Sequence, residues 1–150
     1  MNIGSGERYL SNALSNFAPH PFFMDGVLCN SMEGFLQSLK FSNPDIQKHV
    51  CTLIGLQAKY KGKKKNWWRT QTLYWQGKEY SRHEHEYQDL LWKAYNCLAE
   101  NDKFRSALLA TGKSILRHSL GKNDATRTIL TENEFCSILM KIRENLRNKK

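Results

Sequence analysis

The stretch SMEGFLQSLKF, residues 31–41, decides how the chain is read. On a helical wheel Met32, Phe35, Leu36 and Leu39 gather on one side, and Glu33, Gln37 and Lys40 fall within about 60° of one another on the other. The apolar side is what anchors a helix in a core. The polar row has two readings, a solvated face or the wall of a pocket, and periodicity does not choose between them. The solvated reading has its own logic. With Asn30 as N-cap, Glu33 would hold the third helical position and close a capping box, and Lys40 would suit the negative end of the helix dipole.

Outward from this helix, FFMDGVL (22–28) sets Asp25-Gly26 between apolar residues, the signature of a tight hairpin turn. Asn43-Pro44 predicts an N-cap followed by proline at the first helical position. Ile46, Val50, Leu53, Ile54 and Gln57 then repeat at helical spacing to about residue 59. TLYWQGKEY (72–80) predicts a second hairpin around Gln76-Gly77. Ser81-Arg82-His83-Glu84 has capping-box form and predicts a helix with Tyr87, Leu90, Leu91, Tyr95 and Leu98 inward. Asn101 or Asp102 starts another helix, with Phe104, Leu108 and Leu109 buried and Gly112 as its stop. A short strand is expected in SILRHS (114–119), before the loop GKNDATRT. Thr131 to Glu134 is a second capping box, opening a last helix on Phe135, Ile138, Leu139 and Ile142. The expected fold is α+β: a single domain over residues 1–150, mostly helical, with short antiparallel hairpins.

The formal net charge of +9 asks for an anionic partner, a phosphate-bearing small molecule or nucleic acid. Lys61-Gly62-Lys63-Lys64-Lys65 is its densest run, readable as a solvated loop or a phosphate-attracting rim. The composition excludes a disordered or collagen-like chain, and no apolar run reaches the ~18 residues of a membrane span. With no secretory signal at the start, a cytoplasmic address is the expectation. Cys29, Cys51, Cys97 and Cys136 have no metal-like spacing and are expected to be free thiols, mostly buried.

Other residues could carry chemistry. In LSNFAPHPF (14–22), Asn16 offers donors and acceptors, and Phe17 a flat face on which a base could stack. Asn66-Trp67-Trp68-Arg69 sets aromatic and basic residues side by side, as nucleotide or nucleic-acid sites do, although paired tryptophans also serve cores. His83-Glu84-His85-Glu86 points its histidines about 200° apart on a helix, which argues against shared metal ligation. Gly4-Ser5-Gly6 lacks the spacing of a dinucleotide or P-loop fingerprint. Asp124 is accounted for by turn chemistry.

LSNFAPHPF followed by S-x-E-x-x-x-Q-x-x-K-F resembles the NADAR family, the YbiA-like proteins. The resemblance continues through the WW…LYW section, Ala94-Tyr95 and LLATG (108–112) to the closing LMKIREN, covering nearly the whole chain. It implies a YbiA-like fold and hydrolysis of the C1–N bond of phosphate-bearing ribosides. Family substrates are ADP-ribosylated guanine, as nucleoside or in nucleic acid, and a phosphorylated ribosylaminopyrimidine intermediate of riboflavin synthesis. By the same resemblance Glu33 and Lys40 are the catalytic pair. Ser15, Asn16, Phe17, Gln37, Asp124 and one of Trp67 or Trp68 contact substrate, and neither metal nor other cofactor is required. Where many members carry Trp-Gly after an aspartate near the end, this chain has ATRTILTEN (125–133). Glu33 would act on the sugar side. Lys40 would neutralise the leaving base or the phosphate, or attack C1 as an amine. The alternative class is a non-catalytic module that binds ADP-ribose or nucleic acid, for which the lysine run and the tryptophans suffice.

Overall fold

A computed structural model describes residues 1–4 and 9–149. Ser5 and Gly6 of the glycine-serine run therefore lie outside the described residues. The elements in chain order are α1 (Tyr9–Leu14), β1 (Phe22–Met24), β2 (Val27–Cys29), α2 (Met32–Ser38), α3 (Pro44–Cys51) and α4 (Gly55–Lys63). A single 3-10 turn (Trp67–Arg69) leads to β3 (Thr72–Trp75), β4 (Lys78–Ser81), α5 (His85–Leu98), α6 (Asp102–Ala110) and α7 (Glu132–Asn148). This is the expected α+β arrangement, mostly helical with two small sheets. No described helix is long and apolar enough to cross a membrane.

Both sheets are two-stranded antiparallel hairpins closed by two-residue turns, Met24 facing Val27 and Trp75 facing Lys78. Asp25 and Gly26 have φ of 49° and 80°, and Gln76 and Gly77 have 48° and 85°. Positive φ at both central residues is what matches a turn to the twist of its strands. The hairpins are tied together. Trp75 Nε1 donates to Asp25 Oδ2 at 2.8 Å and Gln76 Nε2 to the Asp25 carbonyl at 3.1 Å. Buried Gln47 completes the joint: its amide donates to the carbonyls of Ser38, Phe41 and Tyr74, and its Oε1 accepts from the Gln76 amide.

The core gathers Phe35 and Leu39 of α2, Tyr87, Leu91 and Tyr95 of α5, Phe104 and Leu108 of α6, and Phe135 and Leu139 of α7 around Trp75. Phe35 stacks edge-on against Trp75 at 4.9 Å. Helix α2 packs on α3 and α4. Its approach to α3 requires Gly34, because a Cβ there would lie 2.7 Å from the Leu53 carbonyl oxygen. Cys29, Cys51 and Cys136 are buried and Cys97 is half-buried.

Several sequence expectations are corrected. The helical run from Pro44 to residue 59 is two helices, broken where Gly55 takes φ +56°. Of that periodic set, Ile46 and Ile54 are exposed. Ser81 ends β4 instead of capping a helix; α5 starts at His85, after an N-cap Glu84 that makes no side-chain bond. Arg82 from the supposed capping box is instead drawn inside, 1% exposed, onto Glu134. Leu109 is exposed, and Ala107 takes its place beside Phe104 and Leu108. SILRHS forms only an isolated parallel bridge, Asn2 with Arg117. The capping box of α7 is present in full: Thr131 Oγ1 accepts from the Glu134 amide and Glu134 Oε1 from the Thr131 amide.

Candidate functional site

The N-cap of α2 is Ser31, whose side chain accepts from the Gly34 amide at 3.0 Å. That register places Glu33 at the second helical position, where it closes no capping box, so its carboxylate is left for other work. The row is not solvated. Gln37 is 7% exposed, and Glu33 and Lys40 are half-buried. Glu33 and Gln37 form part of the wall of a cleft of about 500 Å³. Lys40, one turn further along, is near enough to Glu33 for their charges to interact but is not among the lining residues.

Three further segments supply most of the rest of the lining, with Gly4 and Phe135. Ser15, Asn16 and Phe17 come from the loop after α1, Lys59 from α4, and residues 118, 120–122 and 127–131 from the long loop before α7. The first loop is fastened to α2 by the Glu33 amide, which donates to the Asn16 carbonyl at 2.9 Å. It is fastened to α5 by the buried Tyr95 hydroxyl, which donates to Asn16 Oδ1 at 2.7 Å. The Asn16 side-chain carbonyl is thus already engaged, leaving its NH₂ as the group able to turn to a ligand.

The far wall is held by an internal ion pair. Both terminal nitrogens of Arg82 donate to the Glu134 carboxylate, at 3.0 and 2.7 Å, while Nε donates to the Thr128 carbonyl at 2.9 Å. Tyr87 Oη donates to the Ile129 carbonyl at 2.6 Å. Residues 128–131 are therefore pinned from α5, from the end of β4 and from α7. Asp124 shapes the same loop: its carboxylate accepts from the Thr126 amide and hydroxyl, and its carbonyl from the amides of Arg127 and Thr128. Those bonds hold its carboxyl below the usual range. Asp124 does not line the cleft; it presents Lys122 and Arg127, which do.

Glu33 is the only acid among the described lining residues, and Lys59, Lys122 and Arg127 surround the same space. Burial pushes the Glu33 carboxyl above its ordinary range, against the opposing pull of the Gln37 amide and of Lys40, Lys59 and His118. Gln37 Nε2 donates to Glu33 Oε1 at 2.8 Å and so fixes the carboxylate plane. Gln37 is itself wedged against α4: a Cβ on Gly62 would stand 1.8 Å from Gln37 Oε1. Burial pushes the Lys40 ammonium down, and Glu33 partly restores it. A carboxylate that holds its proton more tightly than usual is a stronger base, which is what water activation asks for.

The structure thus brings Ser15, Asn16, Phe17, Glu33 and Gln37 together. It leaves Trp67, Trp68 and Asp124 off the cleft. Trp67 is a core residue, whereas Trp68 is 44% exposed and lies against the Arg69 guanidinium. Lys59, His118, Lys122 and Arg127 are cleft residues that sequence reasoning passed over. His118 sat in a stretch read as a strand; its Nδ1 donates to the Ile3 carbonyl at 2.6 Å, so Nε2 takes no part in that bond. No group of His, Cys, Asp and Glu among the described residues is arranged to hold a metal.

Comparison with known proteins agrees with this architecture. Residues 8–144 match the family described as bacteriophage protein GP30.3. An uncharacterized 17.1 kDa protein from the Gp30-rIII intergenic region of Enterobacteria phage T4 is 39% identical over 97% of this chain and 98% of its own length. The NMR structure of the Escherichia coli protein YbiA aligns with a TM-score of 0.67 at 22% identity, over 98% of this chain and 84% of YbiA. The chain belongs to the bacteriophage GP30.3 family and has the YbiA-like, NADAR-type fold.

Proposed function

We propose that the chain is an N-glycosidase that hydrolyses the C1–N bond of a phosphate-bearing riboside. Its substrate is ADP-ribosylated guanine or a phosphorylated ribosylaminopyrimidine. The observation that carries this reading is a single desolvated carboxylate, Glu33, in a cleft that it shares with three cations, Lys59, Lys122 and Arg127. Breaking the bond builds positive charge at C1 and negative charge on the departing base. Glu33 beside the sugar stabilises the first and takes a proton from the attacking water as the new O–C1 bond forms. The base leaves with the C1–N electron pair and takes a proton on nitrogen from solvent, and Glu33 returns to solvent the proton it took from the attacking water. Lys59, Lys122 and Arg127 receive the phosphate, and Phe17 offers a ring for the base.

Gln37 orients Glu33. Lys40 supplies positive charge near that carboxylate, which keeps Glu33 ionised at a lower pH than burial alone would allow. Its depressed ammonium also suits an amine nucleophile, and borohydride added during turnover separates the two roles: a sugar adduct on Lys40 means covalent attack, and none in an active enzyme means electrostatics.

The test is release of free base or free ADP-ribose from ADP-ribosylated guanosine and from the aminopyrimidine riboside. Glu33→Gln and Lys40→Ala should each lower turnover by roughly 10²-fold or more. A wild-type protein that binds these ribosides and releases nothing would be the non-catalytic binding module instead.

A further inference from the structure

Between Asp45 and Glu79 the sequence contains no acidic residue, while Lys48, Lys59, Lys61, Lys63, Lys64, Lys65, Arg69 and Lys78 add eight positive charges, against a net +9 for the whole chain. The cleft accounts for only one of the eight, Lys59. Lys78 is paired with Glu86 and Lys48 lies on α3; the others cluster on α4 and the turn after it.

Ala58 and Gly62 are the buried residues of α4. Leu56, Lys59, Tyr60 and Lys63 form the opposite face, all exposed, and the exposed residues run on through Lys64, Lys65 and Asn66 to Trp68 and Arg69. Tyr60 is 54% exposed and Trp68 44%, and the Arg69 guanidinium lies over the Trp68 ring at 5.3 Å. None of these lysines makes an ion pair among the described residues; Lys65 lies over the Phe41 ring, and Lys59 acts on the Glu33 charge across the cleft. A helix face that sets unpaired ammonium groups beside open aromatic rings suits an anionic partner with flat faces. One member of the stripe, Lys59, also lines the cleft and acts on Glu33, so the stripe is continuous with the site.

We infer that the outer face of α4, with the following turn to Arg69, is a docking surface for single-stranded nucleic acid, and that the strand runs from it into the cleft. Lysines follow the phosphates, and Tyr60 and Trp68 stack bases, the combination by which single strands are held without sequence preference. The inference rests on the glycosidase reading only for the direction of the strand, since it makes the scissile riboside part of a polymer. The binding surface itself stands without it.

The experiment uses the full chain and an unmodified fluorescein-labelled oligothymidine, followed by anisotropy from low to moderate salt, with an oligouridine and a duplex of equal length as further probes. Affinity should fall steeply with salt, and single strands of either sugar should be preferred to duplex. The charge reversal Lys63→Glu/Lys64→Glu/Lys65→Glu should weaken binding tenfold or more and flatten the log–log salt slope by roughly 2, about 0.7 for each lost phosphate contact. Tyr60→Ala should cost about fivefold or more. The triple variant should cleave ADP-ribosylated guanosine as the wild type does and an ADP-ribosylated oligonucleotide about tenfold less efficiently. Unchanged affinity in the triple variant, salt-independent binding or preference for duplex overturns the inference. Loss of cleavage on the free nucleoside alongside the polymer overturns the separation of surface from cleft. Oligonucleotide binding as expected, with no hydrolysis of any riboside, would sink the glycosidase reading and leave this one standing.

Discussion

Gly62→Ala is the substitution whose outcome depends most on the packing behind Glu33. Gly62 lies in the last turn of α4, touches no cleft space and faces Gln37 across the α2–α4 contact. By helix propensity alone the change should stabilise by up to about 1 kcal/mol. The structure predicts the opposite sign. A new Cβ would stand 1.8 Å from Gln37 Oε1, 2.7 Å from its Cδ and 3.0 Å from its Cβ. The amide must swing away, and the 2.8 Å bond from Gln37 Nε2 to Glu33 is lost. A hydrogen bond to a charged group contributes about 1.5–3 kcal/mol. Set against the propensity gain, the net loss is about 0.5–2 kcal/mol, or a fall of roughly 1–8 °C in Tm for a domain of this size. Activity should suffer more than stability. Once Glu33 loses the amide that orients it, a misplacement on the order of 1 Å lowers turnover by about 10- to 100-fold. Differential scanning calorimetry and base-release kinetics read the two effects. In a Gln37→Ala background the same substitution has nothing to displace and should be neutral or stabilising, so a double-mutant cycle isolates the contact. A Gly62→Ala protein with raised Tm and undiminished turnover would mean that Gln37 does not hold Glu33 through the α2–α4 contact.

The ion pair under the far wall gives a second expectation. Arg82→Ala leaves Glu134 facing the interior and frees the Thr128 carbonyl, and should cost about 3–5 kcal/mol in urea unfolding; a loss under about 1 kcal/mol would mean that solvent replaces the pair. Thr131→Ala removes the α7 cap and should cost about 1 kcal/mol; an unchanged midpoint would count against the capping box as drawn. Because the folded chain raises the Glu33 carboxyl, folding binds its proton, so this group's contribution to stability is greatest below the unfolded carboxylate range and declines as pH rises through the folded value. Glu33→Gln should therefore raise Tm at neutral pH relative to wild type, with the gap narrowing toward acid, and a gap that widened toward acid would contradict it. Lys40→Met removes a charge that favours the ionised carboxylate, so the acid limb of the pH–rate profile should move to higher pH; an unmoved limb would separate Lys40 from Glu33 electrostatically.

Local chemistry announced the elements whose cause is local. Asp25-Gly26 and Gln76-Gly77 each supply two positive-φ residues, so both hairpins were legible. Thr131 and Glu134 carry their cap in four consecutive residues. The failures have tertiary causes. Nothing near Ser81 reveals that Arg82 is needed by a glutamate 52 residues away, and that demand turns a capping box into a strand end. The periodic run beyond Pro44 continued through Leu53 because burial and exposure cannot be told apart by spacing. What breaks it is Gly55, together with α3 carbonyls that must receive Gly34 of α2.

The site divides along the same line. Glu33 and Gln37 were visible as a row because one helix holds both, but only register decides what the row is for. A single residue separates the two outcomes: Asn30 as cap would have committed Glu33 to the helix backbone, and Ser31 as cap releases it. The cations opposite it come from α4 and from a loop some 90 residues further along, where isolated Lys122 and Arg127 have no pattern to give them away. Their convergence depends on Asp124 folding the loop back on itself and on Arg82 and Tyr87 pinning it. This explains why Asp124 can matter to the cleft without entering it. Asp124→Asn keeps an oxygen for Thr126, and should disturb activity less than Asp124→Ala, which loses the turn's acceptor altogether. An aspartate that touched substrate through its charge would show the two substitutions equally damaging.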